Sequence, residues 1–166
     1  PAIKPAALYS KTGAIGILAT KGTLSSKLFE KTTREYAKNI TTIEQDGEGL
    51  VQLIEEGKLN SEELNQLLST YLKPMVTFNI DHLVLGCTHY PYLIPQIKKI
   101  IGNDVKIIDS GEAVANQTKA ILEKNNILAN SLEEQKHKFY TNVQPKVLKN
   151  ILQGISNNIK INKMDF

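Results

Sequence analysis

Residues 83–91 read LVLGCTHYP and decide how the middle of this chain folds. The apolar run LVL is typical of a buried parallel strand, and the glycine after it lets the backbone turn sharply. The proline that closes the stretch fits the first turn of a helix, where its missing N–H is not needed. Isoleucines follow at positions 94, 97, 100 and 101, although Pro95 indicates that the regular helix begins nearer to that residue. The stretch therefore predicts a strand, a short loop and a helix in succession.

Cys87, the single cysteine of the 166 residues, lies in this loop. The pattern places it at the carboxyl end of a strand, which in open α/β sheets is the edge where ligands bind. A helix N-terminus and a protonated imidazole both favour the thiolate form, and His89 stands two residues away. A lone cysteine in an arbitrary chain is more often a small buried apolar residue. The strand-loop-helix context, with Thr88 and His89 beside it, instead predicts a reactive thiol.

The rest of the chain alternates between short apolar runs and helical patterns. Strands are predicted at 14–19, 40–43, 83–85 and 105–108. Helices are predicted from a cap at Thr23 or Ser25 to about 39, at 50–56, from 61 onward, at 91–101 and at 111–124. A less regular tail holds a predicted strand at 139–140, a helix at 145–152, a turn at 156–158 and a strand at 159–161. This alternation predicts an α/β fold with a mainly parallel sheet flanked by helices.

Composition excludes several classes of protein. A hydrophobic content of 41% is enough for a packed core, and the formal net charge of +3 is mild and scattered. Without a basic stripe interleaved with aromatics, nucleic-acid binding is not expected, and no apolar run approaches the roughly 20 residues of a membrane helix. A single cysteine excludes a disulfide framework, and the three histidines are too dispersed to predict a metal site.

Four segments resemble motifs of the bacterial glutamate racemase family. They are GILATKGT at 16–23, LVQLIEEG at 50–57, LGCTHYP at 85–91 and IIDSGEAVA at 107–115, and they occur in the family's order. The resemblance covers most of the chain and fades after about Leu128. The family belongs to the cofactor-independent amino-acid racemases that use two cysteines, so no cofactor is implied.

The resemblance also implies how the chain is organised. Residues 1–108 match the second of two pseudo-symmetric α/β racemase domains, and residues 109–166 match a C-terminal segment that returns to complete the first. The family's first domain, with its own catalytic cysteine, precedes the point that matches Pro1. We therefore interpret the chain as a fragment and expect it to be inactive alone. The family is cytoplasmic and supplies D-glutamate for peptidoglycan and cell-wall synthesis, and relatives often form dimers, so a homodimer is expected.

Three catalytic residues follow from the matched motifs. Cys87 corresponds to the second catalytic cysteine, which exchanges a proton with one face of the substrate's α-carbon. His89 corresponds to the histidine beside that cysteine and is expected both to polarise the thiol and to contact substrate. Glu55 corresponds to a glutamate that supports the pair; by itself it would be an ordinary solvated charge at a helix end.

Substrate-binding roles are implied for three threonines. Thr88 offers a backbone N–H and a hydroxyl to a substrate carboxylate, although a turn-forming hydroxyl is nearly as consistent with its position. Thr20 and Thr23 match a loop that lines the family's substrate cleft, and Thr23 could equally be a helix N-cap. Asp109 fits helix capping better than catalysis.

Two other functions stay open from the sequence. One is a different reaction on the same scaffold, such as aspartate or hydantoin racemisation or a decarboxylation that needs one cysteine. The other is a non-catalytic binding module. The LGCTHYP motif favours glutamate as the small-molecule substrate.

Overall fold

A four-stranded parallel sheet forms the centre of the computed structural model, which describes residues 2–129, 136–152 and 158–166. Its strands are β1 (Ala14–Ala19), β2 (Thr41–Asp46), β3 (His82–Gly86) and β4 (Lys106–Ile108), in the order β2-β1-β3-β4. Every neighbouring pair runs parallel. The predicted α/β fold with a mainly parallel sheet is confirmed.

Helices cover both faces of this sheet. They are α1 (Ile3–Tyr9), α2 (Lys21–Leu24), α3 (Lys27–Tyr36), α4 (Leu50–Glu55), α5 (Glu62–Thr77) and α6 (Ile94–Ile101). On one face, α4, α5 and α6 pack against Leu18, Leu83 and Leu85. On the other face, α1 and α3 pack against Ile15, Ile17 and Val84. The strand residues alternate between the two faces because successive side chains of a strand point in opposite directions.

Serine caps explain where two of the helices begin. Ser61 accepts a hydrogen bond from the backbone N–H of Leu64, and α5 then buries Leu64, Leu68, Leu72 and Met75 along one side. Ser26 accepts from the N–H of Phe29 and starts α3. The single helix predicted from Thr23 or Ser25 to about 39 is therefore wrong, because this second cap divides the segment into α2 and α3.

Two further boundaries differ from the sequence patterns. Strand β2 extends to Asp46, beyond the predicted 43, because its partly polar residues pair with β1 along the whole strand. The segment predicted as a helix over 91–101 begins with a 3-10 turn at Tyr90–Leu93, and the α-helix starts at Ile94. The expectation that the regular helix begins near Pro95 is confirmed.

The C-terminal part lies outside the four-stranded sheet. Helix α7 (Gly111–Lys124) buries none of its residues, and Asp109 accepts a hydrogen bond from the Gly111 N–H at 2.6 Å. Strands β5 (His137–Thr141) and β6 (Ile159–Lys163) pair in parallel with each other. Helix α8 (Pro145–Ile151) lies between them in the sequence. Of the predicted turn at 156–158, residues 156 and 157 lie outside the described residues. Within the described part of the chain, no helix is both long and apolar enough to cross a membrane.

A network of hydrogen bonds around Asp81 closes the amino-terminal edge of the sheet. The carboxylate accepts from the Ser10 hydroxyl at 2.8 Å, from the backbone N–H groups of Lys11 and Thr12, and from Nδ1 of His82 at 2.8 Å. Burial raises the pKa of Asp81, but these hydrogen bonds outweigh it and hold the pKa well below its usual range. The network ties the loop after α1 to the start of β3.

Candidate active site

The candidate site lies at the carboxyl edge of the sheet. Ala19 at the end of β1 is in register with Asp46 of β2 and with Gly86 of β3. A Cβ atom on Gly86 would lie 2.7 Å from the Cβ of Ala19, so only glycine permits this approach. Because the strands are parallel and end together, the loops that begin at Thr20, Gly47 and Cys87 lie side by side.

Cys87, His89 and Glu55 form a connected array at this edge. The sulfur of Cys87 lies 3.9 Å from Nδ1 of His89, which is long for a hydrogen bond even with sulfur. On the other side of the ring, Nε2 of His89 lies 3.1 Å from a carboxylate oxygen of Glu55. The His89 and Glu55 side chains are 28% and 46% exposed, so the array is open to solvent. His89 and Glu55, two of the predicted catalytic residues, are 34 positions apart in the sequence and lie together in the structure.

This arrangement gives the imidazole a defined direction for proton transfer. A neutral His89 that donates its Nε2–H to Glu55 presents the lone pair of Nδ1 to the Cys87 thiol. In catalytic triads, too, a carboxylate orients a histidine that lies beside the nucleophile. An imidazole that took up the thiol proton would be a cation placed between the thiolate and the carboxylate.

The three predicted substrate-binding threonines occupy different positions around Cys87. Thr20 accepts from the N–H of Thr23 at 3.4 Å and caps α2, so the predicted cap at Thr23 is corrected to Thr20. The Thr23 hydroxyl donates to the carbonyl of Gly86 at 3.1 Å and so holds α2 against the Cys87 loop. Thr88 is exposed next to Cys87. That these three threonines contact the substrate stays a prediction.

A mainly apolar cleft of about 400 Å³ opens on one side of Cys87. Its wall includes Thr23, Phe29, Val84, Cys87, Thr88 and Ser110. Among residues 2–129, 136–152 and 158–166, no group of three or more His, Cys, Asp or Glu side chains could hold a metal ion.

Two tyrosines at the site were not predicted from the sequence. The fully buried Tyr90 donates its hydroxyl to the carbonyl of Gly47 at 3.1 Å, and Tyr71 donates to the carbonyl of Glu48 at 3.0 Å. Burial, and then the negative charge that Cys87 carries as a thiolate, raise the pKa of Tyr90 far above its usual value, so the phenol remains a donor. The one feature of the sequence that could have indicated Tyr90 is its place inside the LGCTHYP motif.

A match to a known protein family agrees with this fold and site. A family model described as Asp/Glu/Hydantoin racemase matches residues 2–118. This chain belongs to that family of racemases.

Within the family, similar curated proteins are glutamate racemases. One from Pseudomonas putida is 43% identical over 152 residues, which are 92% of this chain and 57% of that protein. One from a Roseiflexus species is 41% identical over 130 residues, covering 78% of this chain and 48% of that protein. The chain thus spans about half the length of the curated relatives it matches.

Solved structures of glutamate racemases share the fold. An isoform from Bacillus anthracis is 32% identical with a TM-score of 0.80, covering 99% of this chain and 63% of that one. The Escherichia coli enzyme, solved with L-glutamate and an activator, is 25% identical with a TM-score of 0.81, covering 99% and 62%.

Proposed function

We propose that this chain forms one side of the active site of a glutamate racemase, with Cys87 exchanging a proton with one face of the α-carbon. The observation that carries the proposal is the Cys87–His89–Glu55 array at the carboxyl edge of the sheet. A relative named glutamate racemase at 43% identity, and the E. coli enzyme solved with L-glutamate, support glutamate as the substrate.

The reaction requires two proton-transferring groups on opposite faces of the substrate. The α-proton of glutamate is weakly acidic because the neighbouring carboxylate is already charged. A thiolate at Cys87 removes this proton as the Cα–H bond breaks and an S–H bond forms, while a second acid returns a proton to the other face. Cys87 is the only cysteine in the 166 residues, so a second thiol has to come from outside this sequence.

The neighbours of Cys87 take supporting roles in this proposal. His89 accepts the thiol proton through Nδ1 and so prepares the thiolate, and Glu55 holds the imidazole in the required orientation through Nε2. Thr88 would bind a carboxylate of the substrate through its hydroxyl and backbone N–H groups. Thr20 and Thr23 would do so by exchanging the hydrogen bonds that they make to each other and to Gly86 for bonds to the substrate. A homodimer and a cytoplasmic location stay predictions that rest on the family resemblance.

We also propose the domain division at residue 108. The four-stranded sheet ends with Ile108, and the next helix, α7, buries none of its residues. Apolar side chains remain exposed on and after this helix, among them Val114, Ile121 and Ile127. A group of exposed apolar side chains indicates a surface that packs against another part of a protein. This supports the assignment of residues 109–166 to a segment that completes a first racemase domain.

A hybrid enzyme tests the proposed function directly. The part of the Pseudomonas putida enzyme that matches this chain is replaced by this chain, and interconversion of L- and D-glutamate is followed by circular dichroism. We expect the hybrid to racemise glutamate in both directions and in preference to aspartate. Cys87→Ala should reduce kcat by about 10²-fold or more, the scale of a lost acid–base group.

The controls separate the active site from the fold. Lys99→Ala, on the exposed side of α6, should leave the activity unchanged. The isolated 166-residue chain should racemise no amino acid. A preference for aspartate, or full activity in the Cys87→Ala hybrid, would contradict the proposal.

A further inference from the structure

Gly47 lies where three parts of the site meet. Its N–H donates to the carbonyl of Ala19, the last residue of β1, at 2.9 Å. Its carbonyl accepts from the N–H of Leu50, the first residue of α4, at 3.2 Å, and from the Tyr90 hydroxyl at 3.1 Å. One residue thus links the end of β1, the start of α4 and the turn that follows Cys87.

The contact between Tyr90 and Gly47 leaves no space for a side chain at position 47. Tyr90 is 0% exposed, and a Cβ atom on Gly47 would lie 2.2 Å from its hydroxyl oxygen. Interiors packed this closely transmit small displacements rather than absorb them. The position of the Gly47 carbonyl is therefore coupled to the position of the Tyr90 ring.

Both ends of this link lead to the reactive array. Tyr90 directly follows His89, and its N–H donates to the carbonyl of Cys87 at 3.2 Å, which closes the turn. Helix α4 begins after Gly47 and ends at Glu55, the partner of His89. With six residues, α4 is about 9 Å long at a rise of about 1.5 Å per residue, so it carries a displacement at its start through to its end.

We propose that Tyr90 is a positioning residue: its buried hydroxyl, bound to the Gly47 carbonyl, places α4 so that Glu55 meets His89. The inference rests on the proposed function, in which Cys87, His89 and Glu55 form the reactive array. Tyr71 holds the same loop at Glu48 but belongs to α5 and is not adjacent to His89. Tyr90 alone of these two tyrosines joins the Cys87 turn to α4.

A double-mutant cycle on the full 166-residue chain tests this role. The cycle consists of Glu55→Gln, Tyr90→Phe and their double variant. Tyr92→Phe on the same 3-10 turn, alone and combined with Glu55→Gln, is the matched control, and His89→Gln tests the array itself. The first measurement is the ¹⁵N chemical shift of Nε2 of His89, which reports its hydrogen bond to Glu55. The second is the rate at which iodoacetamide alkylates Cys87, which is unambiguous because the chain has one cysteine.

The expected result is strong coupling between positions 55 and 90. Glu55→Gln should move the Nε2 shift and slow alkylation about threefold, because an amide supports the imidazolium beside the thiolate less well than a carboxylate does. In the Tyr90→Phe chain, the same substitution should have less than about half of these effects, the non-additivity expected for coupled residues. Tyr92→Phe should leave both effects of Glu55→Gln unchanged.

The two readouts separate the two proposals. If Glu55→Gln moves the Nε2 shift equally in the native chain and in the Tyr90→Phe chain, the positioning role is overturned while the array stands. If neither Glu55→Gln nor His89→Gln changes the rate of Cys87 alkylation, the proposed array is wrong, and the chemical shift of His89 Nε2 still decides the role of Tyr90.

Circular dichroism checks that each variant folds. If Tyr90→Phe does not fold, 3-fluorotyrosine at position 90 keeps the hydroxyl and the ring, adds one small atom and changes mainly the strength of the donor. An unchanged chemical shift of His89 Nε2 in that chain would also overturn the positioning role.

Discussion

Two histidine–carboxylate pairs stand at opposite edges of the same sheet and differ in how they are enclosed. At the amino edge, His82 and Asp81 are 2.8 Å apart, and their side chains are 8% and 18% exposed. At the carboxyl edge, His89 and Glu55 are 3.1 Å apart, and their side chains are 28% and 46% exposed. The residue types are nearly the same, so the difference lies in the surroundings.

The surroundings decide what each pair can do. Asp81 accepts four hydrogen bonds, from His82, Ser10, Lys11 and Thr12, and has little capacity left for a ligand. Glu55 has His89 as its one hydrogen-bond partner among the described side chains, and that histidine faces a thiol. A fully satisfied polar network stabilises a fold, whereas a partly open one retains groups for chemistry.

The largest expected effect is the loss of Asp81. Asp81→Ala should lower the free energy of unfolding by about 3 kcal/mol, because hydrogen bonds to a charged acceptor contribute roughly 1.5–3 kcal/mol each and several donors lose their partner. Urea denaturation followed by circular dichroism measures this. Glu30→Ala is the matched control, because its pair with Arg34 is exposed on α3. That control should change stability by less than about 0.5 kcal/mol, and equal losses in the two variants would remove the contrast.

The second expected effect is a loss of stability in acid that depends on Asp81. Its pKa in the folded chain is held below the unfolded value of about 3.9, so folding favours the ionised form. The resulting stabilisation is complete above about pH 5 and is lost as the pH falls through 4 towards the folded-state pKa. The stability difference between the native chain and Asp81→Ala should therefore shrink by about 1–2 kcal/mol between pH 5.5 and pH 2.5.

Urea unfolding of both chains at each pH checks this prediction. A difference that stays constant over that range would show that the Asp81 network stabilises the fold without help from its charge.

The sequence predicted the carboxyl edge better than the amino edge. Strands β1 and β3 and helices α4 and α5 follow from local apolar periodicity and capping residues, which act over a few positions. Thr20 then directly follows β1 and Cys87 directly follows β3, and parallel strands bring their carboxyl ends together. The order of the strands was therefore enough to predict Cys87 at this edge, whereas Glu55, the last residue of α4, was predicted only through the family resemblance.

Contacts between distant segments could not be predicted in the same way. Ser10 and Asp81 are 71 positions apart, and Gly47 and Tyr90 are 43 apart, and no local pattern marks either pair. Their meeting depends on the exact register of the strands and on how loops leave the sheet. The second cap at Ser26 was missed for a different reason, because several serines and threonines there compete as helix starts.

The smallest expected effect sharpens the contrast between the two pairs. Glu55→Gln should change the free energy of unfolding by less than about 0.5 kcal/mol, since a half-exposed contact between a histidine and a carboxylate contributes little to stability. Asp81→Asn, an equally conservative change, should cost more than about 1 kcal/mol, because the amide replaces one of the two acceptor oxygens with a donor. Thermal and urea unfolding of both variants at pH 7 compare them directly. If Glu55→Gln destabilised the chain as much as Asp81→Asn does, the carboxyl-edge pair would be part of the scaffold, and the case for an open array beside Cys87 would lose its physical basis.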